Sequence, residues 1–319
     1  MRSEEGSLSP WGIYPGARST EELIKKGIVI IDKPQGPTSH QVTSWVREIL
    51  GLKKAGHAGT LDPRVSGVLP VALGEATKAM PALASTTKEY VAVMHIHRKV
   101  EREKILEACS SFLGTIVQVP PRKSAVARRP RKRRIHELTV LEVEGRDVLM
   151  RVVCDAGVYI RKLCSDIGEK MGVKAHMQEL RRTRAGIFTE RQSVTLQDLK
   201  DAVEFWKEGN EKPIRTVIHP VELAVDNIKA VVIKDSAVDA VCNGAPLAVT
   251  GVVMVEDGIS PGDLVGILTL KGELVALASA KMSSGEILKA RRGIAAATDR
   301  VFMNRGTYPD WRARGVASG

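Results

Sequence analysis

One carboxylate in the chain stands in a setting that favours contact with a ligand. Residues 56–70 read GHAGTLDPRVSGVLP, and Asp62 lies there among small residues, directly before Pro63. Proline keeps the preceding residue out of helical geometry, and glycines leave little bulk around the backbone. Asp62 is therefore predicted on an extended loop, and it is charged at neutral pH because an unperturbed aspartate titrates near pH ~3.9. The alternative is an ordinary helix start, since Asp followed by Pro is a common N-terminal signal.

Two cations, Arg161 and Lys162, fall where a helix is predicted to begin. Leu163 and Ile167 belong to one apolar face with helical spacing. Positive charge in the first turn of a helix is disfavoured by the helix dipole, so a compensating acid is expected. Asp62 is the candidate for that acid. A solvated basic helix end is the alternative interpretation.

A dense basic run with no intervening acid follows Arg122 and Lys123. Its members are Arg128, Arg129, Arg131, Lys132, Arg133 and Arg134. Like charges at this density repel one another, so the run is predicted to be a loop that meets phosphate groups. The net charge of +11 also suits a polyanionic partner. The alternatives are a basic protein without such a partner and a generic nuclear localisation signal.

Length and composition bound the class of protein. With 319 residues, of which 43% are hydrophobic, the chain is long enough for two domains with real cores. The longest apolar runs, such as residues 27–31, are too short to cross a bilayer. Residues 1–10 are polar and lack the apolar centre of a signal peptide. We therefore expect a soluble, cytoplasmic protein with no membrane contact.

Sequence signals for metals and cofactors are weak. The four cysteines include no Cys-x-x-Cys pair and are expected to be reduced and mostly buried. No glycine-rich nucleotide-binding motif occurs. His95 and His97 could share a metal ion on one strand face, but no third ligand lies nearby in sequence. No metal site and no cofactor are predicted.

The order of predicted elements indicates an α+β fold. A buried strand over residues 27–32 leads into a Lys-Pro-x-Gly-Pro turn, after which Thr38 or Ser39 caps a helix. Thr195 and Asp198 have the spacing of a capping box for a later helix. Further strands are predicted at residues 90–96, 138–143 and 148–154. Strands and helices mix without regular alternation, which argues against a doubly wound sheet.

The last third of the chain reads as a separate, smaller domain. A polar break at residues 209–213 precedes a boundary near Asp226. Short strands separated by turn signals are then predicted at residues 230–233, 251–255, 264–269 and 274–280. They indicate a compact β-barrel. From composition alone, a barrel that only braces the fold is as good an interpretation as a binding module.

Four segments in order resemble motifs of the TruB family of pseudouridine synthases, which isomerise uridine to pseudouridine in RNA. The catalytic-aspartate motif of that family is similar to residues 56–70, and its first motif to residues 33–39. Residues 88–90 resemble the segment with the active-site tyrosine, and residues 157–163 with 180–183 resemble the late motifs. The chain as a whole is most similar to the archaeal dyskerin-like branch, and its barrel resembles the RNA-binding PUA domain.

This resemblance implies roles for individual residues. Asp62 is the expected nucleophile, and Arg161 is the cation expected to keep it charged. Tyr90 resembles the tyrosine that packs on the target base and helps to move the C5 proton, and Tyr159 resembles a second tyrosine near the base. Further substrate-binding positions are Leu180, His57 and Lys33. Further RNA-binding cations are Arg181 and Arg182. Each tyrosine is alternatively a core aromatic, and attack by the aspartate at the base or at the sugar both fit.

The resemblance also implies an architecture and partners. The expected parts are an extension over residues 1–26 that packs on the PUA domain, a mixed-sheet catalytic domain over 27–226, a PUA domain over 227–306 and a tail over 307–319. Implied partners are H/ACA guide RNA, an rRNA or tRNA substrate and the small core proteins of the H/ACA particle, with no cofactor. The alternatives are a stand-alone tRNA pseudouridine synthase and a non-catalytic RNA-binding scaffold.

Overall fold

The computed structural model describes residues 9–120 and 129–310. Within these ranges, none of the helices has the length and apolar character needed to span a membrane. The helices are α1 (Thr20–Lys26), α2 (Ser39–Ile49), α3 (Met80–Ala84), α4 (Arg102–Ser110), α5 (Ile160–Lys170), α6 (Leu196–Lys207), α7 (Lys212–Val217), α8 (Asp235–Cys242) and α9 (Ser284–Lys289). Short 3-10 turns connect several of them.

A ten-stranded sheet forms the centre of the larger part of the chain. Its strands are β1 (Gly27–Lys33), β2 (Ala55–His57), β3 (Ser66–Leu73), β4 (Lys88–Ile96), β5 (Gly114–Gln118), β6 (Arg131–Glu144), β7 (Asp147–Cys154), β8 (Ala175–Ala185), β9 (Phe188–Thr189) and β10 (Ile218–Pro220). The main path runs β10-β1-β3-β8-β4-β7-β6-β5, and only the β3–β8 strand pair is parallel. The predicted mixed-sheet α+β class is confirmed.

Helix caps set the starts of the helices that flank this sheet. At α2, Thr38 and Gln41 form a reciprocal capping box, which resolves the choice between Thr38 and Ser39. At α6, Thr195 and Asp198 form the capping box predicted from their spacing. An Asp at the third helical position thus performs the role that Glu or Gln usually has, because its carboxylate also reaches back to the cap N–H.

The helices cover the sheet with two main apolar layers. Val42 of α2 and Leu199 of α6 pack on strand β1, which is buried except at Asp32. Leu163 and Ile167 of α5, which the helical spacing predicted, are buried with residues of β4 and β7. Burial of these side chains stabilises each helix more than its intrinsic propensity does. Strand β1 therefore reads as a continuous apolar run because it is covered on both faces.

A six-stranded barrel-like sheet follows. Its strands are β11 (Lys229–Ile233), β12 (Leu247–Ala248), β13 (Val252–Val255), β14 (Leu264–Leu268), β15 (Leu274–Ala280) and β16 (Ile294–Val301). The sequence predicted β11, β13, β14 and β15. It did not predict α8, α9 or β16. The alanine-rich start of β16 is buried opposite β15, and such small residues carry little strand signal of their own.

The chain before α1 contacts this barrel. The backbone N–H of Ile13 donates to Oε1 of Glu273 at 3.0 Å, and Nζ of Lys271 donates to the carbonyl of Trp11 at 2.7 Å. Tyr308 is also buried in the barrel core, where its hydroxyl donates to Glu273 at 2.7 Å. Packing on the barrel therefore extends beyond residue 306. The three boundaries between the four expected segments remain predictions.

The parallel pairing of β3 with β8 depends on Gly67. Gly67 has φ of +103°, and an added Cβ would lie 2.1 Å from the carbonyl oxygen of Arg182. We expect Gly67→Ala to lower the free energy of unfolding by at least about 2 kcal/mol, through backbone strain and a clash with rigid main chain. Chemical denaturation measures the change. Gly285→Ala is the matched control, because a Cβ there meets nothing within 4 Å. Equal stability of the two variants would contradict this account of the β3–β8 pairing.

Candidate active site

Asp62 lies on a loop between β2 and β3 and starts no helix. The loop turns at Pro63, and the N–H of Val65 donates to the carbonyl of Asp62 at 3.0 Å. The side chain of Asp62 is 57% exposed, although its neighbours Leu61 and Val65 are buried in the core. The extended-loop prediction is confirmed and the helix-start alternative is wrong, because buried anchors on both sides hold the carboxylate outward.

Helix α2 braces this loop through one buried hydroxyl. Oγ of Ser39 accepts a hydrogen bond from the N–H of Leu61 at 2.8 Å and donates to the carbonyl of Leu61 at 2.9 Å. Both polar groups of the residue before Asp62 are therefore satisfied by one side chain. Sequence analysis considered Ser39 only as a helix cap. Its place inside the first motif, with small residues around it, was the available signal for a contact between motifs.

Lys33 is a second brace and is fully buried. Its Nζ donates to the carbonyls of Pro34 and Val65, both at 2.8 Å. Burial lowers the pKa of Lys33, and the charge of Asp62 partly opposes that shift. The prediction that Lys33 faces RNA is therefore corrected. A lysine at the end of a buried strand turns inward here because the loop offers carbonyl oxygens to its ammonium group.

Arg182 also points inward, so its predicted contact with RNA is corrected as well. Its side chain is 1% exposed. Nε donates to the carbonyl of Val68 at 2.7 Å and Nη1 donates to the carbonyl of Gly59 at 2.8 Å. Burial lowers the pKa of Arg182, and the nearby Tyr90 hydroxyl acts in the opposite direction. Alternation along β8 explains the burial, because Leu180 and Arg182 face the core.

Arg181, on the opposite face of β8, is half-exposed and engaged within the chain. Two of its nitrogens lie 3.0 Å from the two carboxylate oxygens of Asp32, and its Nε contacts Glu190. These hydrogen bonds raise the pKa of Arg181. Contact of Arg181 with RNA stays a prediction, with most of its donors already occupied.

Asp62 and Arg161 form the predicted ion pair. Nη2 of Arg161 lies 2.8 Å from Oδ2 of Asp62. Arg161 is in the first turn of α5, whose cap residue is Tyr159. The side chains are 56% and 57% exposed, so the contact is worth little to stability. Its importance is geometric, since it joins the loop after β2 to the start of α5.

Two of the predicted base-contacting residues belong to the core that anchors the Asp62 loop. Leu180 is buried in the same core cluster as Leu61, and Tyr90 is partly buried against that cluster. On adjacent strands Tyr90 lies opposite Arg182, which donates to the carbonyl of Gly59. Burial raises the pKa of Tyr90, while the positive charge of Arg182 partly opposes the shift. Contact of Tyr90 and Leu180 with the base stays a prediction.

Tyr159 is held by a residue that sequence analysis missed. The N–H of Tyr159 donates to Oε1 of Gln118 at 2.9 Å, and Nε2 of Gln118 donates to the carbonyl of Tyr159 at 3.3 Å. Gln118 is itself buried. The contact spans distant parts of the chain, so no spacing in the sequence could have indicated it.

His57 supports the loop rather than presenting a charge. Its Nδ1 lies 2.9 Å from Oγ1 of Thr43 and its Nε2 lies 3.2 Å from Oγ1 of Thr60. Burial, with smaller contributions from His40 and Arg182, lowers the pKa of His57 to about 4. The imidazole is therefore neutral at pH 7. Direct contact with substrate stays a prediction.

From Arg131 onward the basic run forms the beginning of β6 rather than a loop, which corrects the conformation predicted for that part, and Arg129 precedes the strand. Arg129, Lys132 and Arg134 are exposed, whereas Arg131 and Arg133 are half-buried. Arg128 lies outside the described residues. Pairing with β5 over residues 131–135 supplies the backbone hydrogen bonds that overcome repulsion between the side chains. The run therefore presents alternate cations along one strand.

Comparison with known proteins identifies the family of the chain. The TruB family pseudouridylate synthase (N terminal domain) model matches residues 47–160, and the tRNA pseudouridylate synthase B C-terminal domain model matches residues 161–226. A protein of Methanopyrus kandleri named probable tRNA pseudouridine synthase B is 56% identical over 94% of this chain and 89% of its own length. The chain belongs to the TruB family of pseudouridylate synthases. A PUA domain model matches residues 229–302 of this TruB-family chain, and a DKCLD (NUC011) domain model matches residues 1–43.

Relatives and solved structures cover nearly the whole TruB-family chain. The Nanoarchaeum equitans protein named probable tRNA pseudouridine synthase B is 52% identical over 99% of this chain and 91% of its own length. A chain in the crystal structure of a Cbf5-Nop10-Gar1 complex is 52% identical, with a TM-score of 0.94, over 97% of this chain and 94% of that one. A chain in an H/ACA RNP bound to a substrate RNA containing 2'-deoxyuridine is 50% identical, with a TM-score of 0.91, over 97% and 95%.

The buried Ser39 contact predicts a linked loss of stability and activity. We expect Ser39→Ala to lower the free energy of unfolding by about 1–3 kcal/mol, because Leu61 loses both hydrogen-bond partners in the core. Misplacement of the Asp62 loop should also lower kcat of uridine isomerisation by about 10- to 100-fold. Denaturation and tritium release from 5-tritiated uridine RNA measure the two effects. Ser44→Ala, at a partly exposed position of the same helix where the hydroxyl donates to Glu48, should change neither. Full activity of Ser39→Ala would show that the brace is dispensable.

Proposed function

We propose that this chain isomerises uridine to pseudouridine in RNA and that an H/ACA guide RNA selects the uridine. The single observation that carries the catalytic part is the exposed Asp62 carboxylate, held on a braced loop at 2.8 Å from Arg161. The guided part is supported by similarity over 97% of the chain to structures described as an archaeal box H/ACA sRNP Nop10-Cbf5 complex and an H/ACA RNP with substrate RNA. Nop10-like and Gar1-like proteins are the proposed protein partners.

The reaction moves the base without adding or removing atoms. The bond from the sugar carbon to N1 breaks, the base turns, C5 bonds to the same sugar carbon, C5 loses a proton and N1 gains one. Because the change is an isomerisation, it requires no oxidant or second substrate. The target atoms are hidden in a duplex, so the uridine enters unpaired or flipped out of its stack.

Each residue of the site has a part in this proposal. Asp62 is the nucleophile, at the base or at the sugar, and Arg161 positions its carboxylate through the ion pair. Tyr90 and Leu180 pack on the flipped base, and Tyr90 assists removal of the C5 proton. Tyr159 lines the same space at the start of α5. Arg129, Lys132 and Arg134 contact the RNA backbone through their exposed charges.

A stand-alone tRNA enzyme is the second candidate, because the curated relatives carry the name tRNA pseudouridine synthase B. A non-catalytic scaffold is disfavoured, because Asp62, Arg161 and both tyrosines are present and the ion pair is formed. The relatives come from archaea, which lack a nucleus, so the proposed location is the cytoplasm.

Removal of either member of the ion pair should abolish chemistry without unfolding the protein. We expect Asp62→Asn to lower tritium release by at least about 1,000-fold and Arg161→Met by at least about 100-fold. Both changes should alter unfolding free energy by less than about 1 kcal/mol, because the pair is half-exposed. Asp166→Asn is the control, since Asp166 pairs with Lys162 one turn along the same helix. Near-normal turnover of folded Asp62→Asn, with RNA binding retained, would rule out Asp62 as nucleophile.

The two enzyme candidates differ in what selects the uridine. If guide RNA selects it, the purified chain alone should modify an rRNA target poorly, and activity should appear with a hairpin guide and the small core proteins. Base pairing then supplies sequence discrimination, while the protein supplies phosphate contacts and chemistry. The measurement is the position of pseudouridine after the guide sequence is changed with the protein held constant. A modified position that does not move with the guide contradicts the guided candidate and supports the tRNA enzyme.

A further inference from the structure

One nitrogen of the Arg182 guanidinium group takes no part in bracing the Asp62 loop. Nε and Nη1 donate to the carbonyls of Val68 and Gly59. Nη2 is shielded from solvent, and within residues 9–120 and 129–310 no acceptor lies in hydrogen-bonding geometry to it. Buried donors in folded proteins are nearly always paired, so Nη2 requires an acceptor from a neighbouring group.

The hydroxyl oxygen of Tyr90 is the neighbouring acceptor that suits this nitrogen. Tyr90 lies directly opposite Arg182 where β4 pairs with β8, so both side chains are on the same face of the sheet. Burial lowers the pKa of Arg182, and the charge and hydrogen bonding of Tyr90 oppose that shift. The charge of Asp62 acts instead on Lys33. The Tyr90 side chain is only partly buried, which leaves it accessible to a flipped base.

The core around Tyr90 holds more positive than negative charge. Lys88 is buried beside Arg182, since a Cβ added at Gly59 would lie 3.4 Å from Cε of Lys88 and 3.0 Å from Nη1 of Arg182. Neither cation forms a salt bridge with a described residue. Burial, then the charge of Arg182, lowers the pKa of Lys88 to about 8. Cys154, opposite Lys88 on β7, is a neutral thiol, because burial raises its pKa to about 12. An anion formed among these groups would therefore be stabilised.

We propose that Arg182 is a positioning residue for Tyr90: its Nη2 donates to the Tyr90 oxygen, and its charge stabilises the phenolate that accepts the C5 proton. This inference rests on the proposed isomerisation of uridine. The phenolate oxygen bonds to the C5 proton, the electron pair of the C5–H bond restores the C5–C6 double bond, and Tyr90 becomes a neutral phenol. The phenol then returns its proton to solvent, while N1 takes up one proton. A neutral phenol is a poor base, which is why a buried cation beside it matters.

Arg182 would then connect the two parts of the reaction. One guanidinium group holds the loop that carries the Asp62 carboxylate and also holds the oxygen that accepts the proton. The spacing between nucleophile and proton acceptor is therefore fixed by a single buried side chain. Lys33 differs in this respect, because its Nζ donates to the loop carbonyls of Pro34 and Val65 alone among the strongest contacts that it makes. Lys33 thus braces the loop without reaching Tyr90.

A single difluorotyrosine at position 90 of the full-length chain tests the contact. Fluorine makes the phenol more acidic, and ¹⁹F NMR records its ionisation. Arg182→Lys keeps the positive charge, but an ammonium group cannot span the loop carbonyls and the tyrosine. We expect it to raise the measured pKa of this phenol by at least about 1 and to move the rising limb of the pH profile for single-turnover tritium release equally far to higher pH. Lys33→Met is the matched control and should leave the pKa of the phenol unchanged. Lys88 titrates in every chain compared, so its ionisation cancels.

A crystal structure of the unaltered chain with RNA tests the same contact without any substitution. A target 5-fluorouridine has no C5 proton to give, so the complex stops before that step. We expect Nη2 of Arg182 within about 3.2 Å of the Tyr90 oxygen. A separation above about 3.5 Å, or the same phenol pKa with and without Arg182→Lys, would overturn the inference while isomerisation by the chain still stood. A chain that shows the pKa change but releases no tritium would instead refute the proposed function.

Discussion

The loop that carries Asp62 depends on buried cations that donate hydrogen bonds to its carbonyl oxygens. Lys33 holds the carbonyl of Val65, and Arg182 holds those of Gly59 and Val68. Neither cation has a carboxylate within salt-bridge distance among the described residues. A buried charge is costly unless hydrogen bonds replace its hydration. Without these carbonyl oxygens, both cations would be buried without hydrogen-bond acceptors. Loop and cations therefore stabilise one another, and the loop conformation is fixed before any RNA binds.

This arrangement also sets the electrostatics of the site. Lys33 and Arg182 lie beneath the loop and Arg161 lies beside it, so Asp62 is an anion surrounded by cations. When a flipped base displaces water from the loop, the local dielectric constant falls and the attraction between Asp62 and these cations strengthens. The half-exposed ion pair leaves space for the base, whereas a fully buried pair would have to open first. The same cation, Arg182, lies opposite Tyr90 and couples the tyrosine to the loop.

The sequence was most informative where chemistry and local geometry coincide. Gly-x-x-Asp-Pro indicated a loop, and the unfavourable charge at the start of α5 indicated Arg161 as the partner of Asp62. Both are local arguments, and the loop and the ion pair are both present. Lys33 and Arg182 were assigned to RNA because sequence gives the type of a side chain and not its direction. Their burial depends on which backbone carbonyl groups the pairing of β3 with β8 places within hydrogen-bond distance of them.

Burial of basic residues changes what the net charge of +11 means for RNA binding. Lys33, Lys88 and Arg182 are buried, so their charges act on the loop and cannot displace counterions from phosphate. The guanidinium group of Arg181 donates hydrogen bonds to Asp32 and Glu190. These residues do not contribute to phosphate contacts, whereas exposed cations such as Lys132 and Arg134 of β6 can reach an RNA backbone. Phosphate contacts carry no base-sequence information, which is the physical argument for delegation of target choice to a guide RNA.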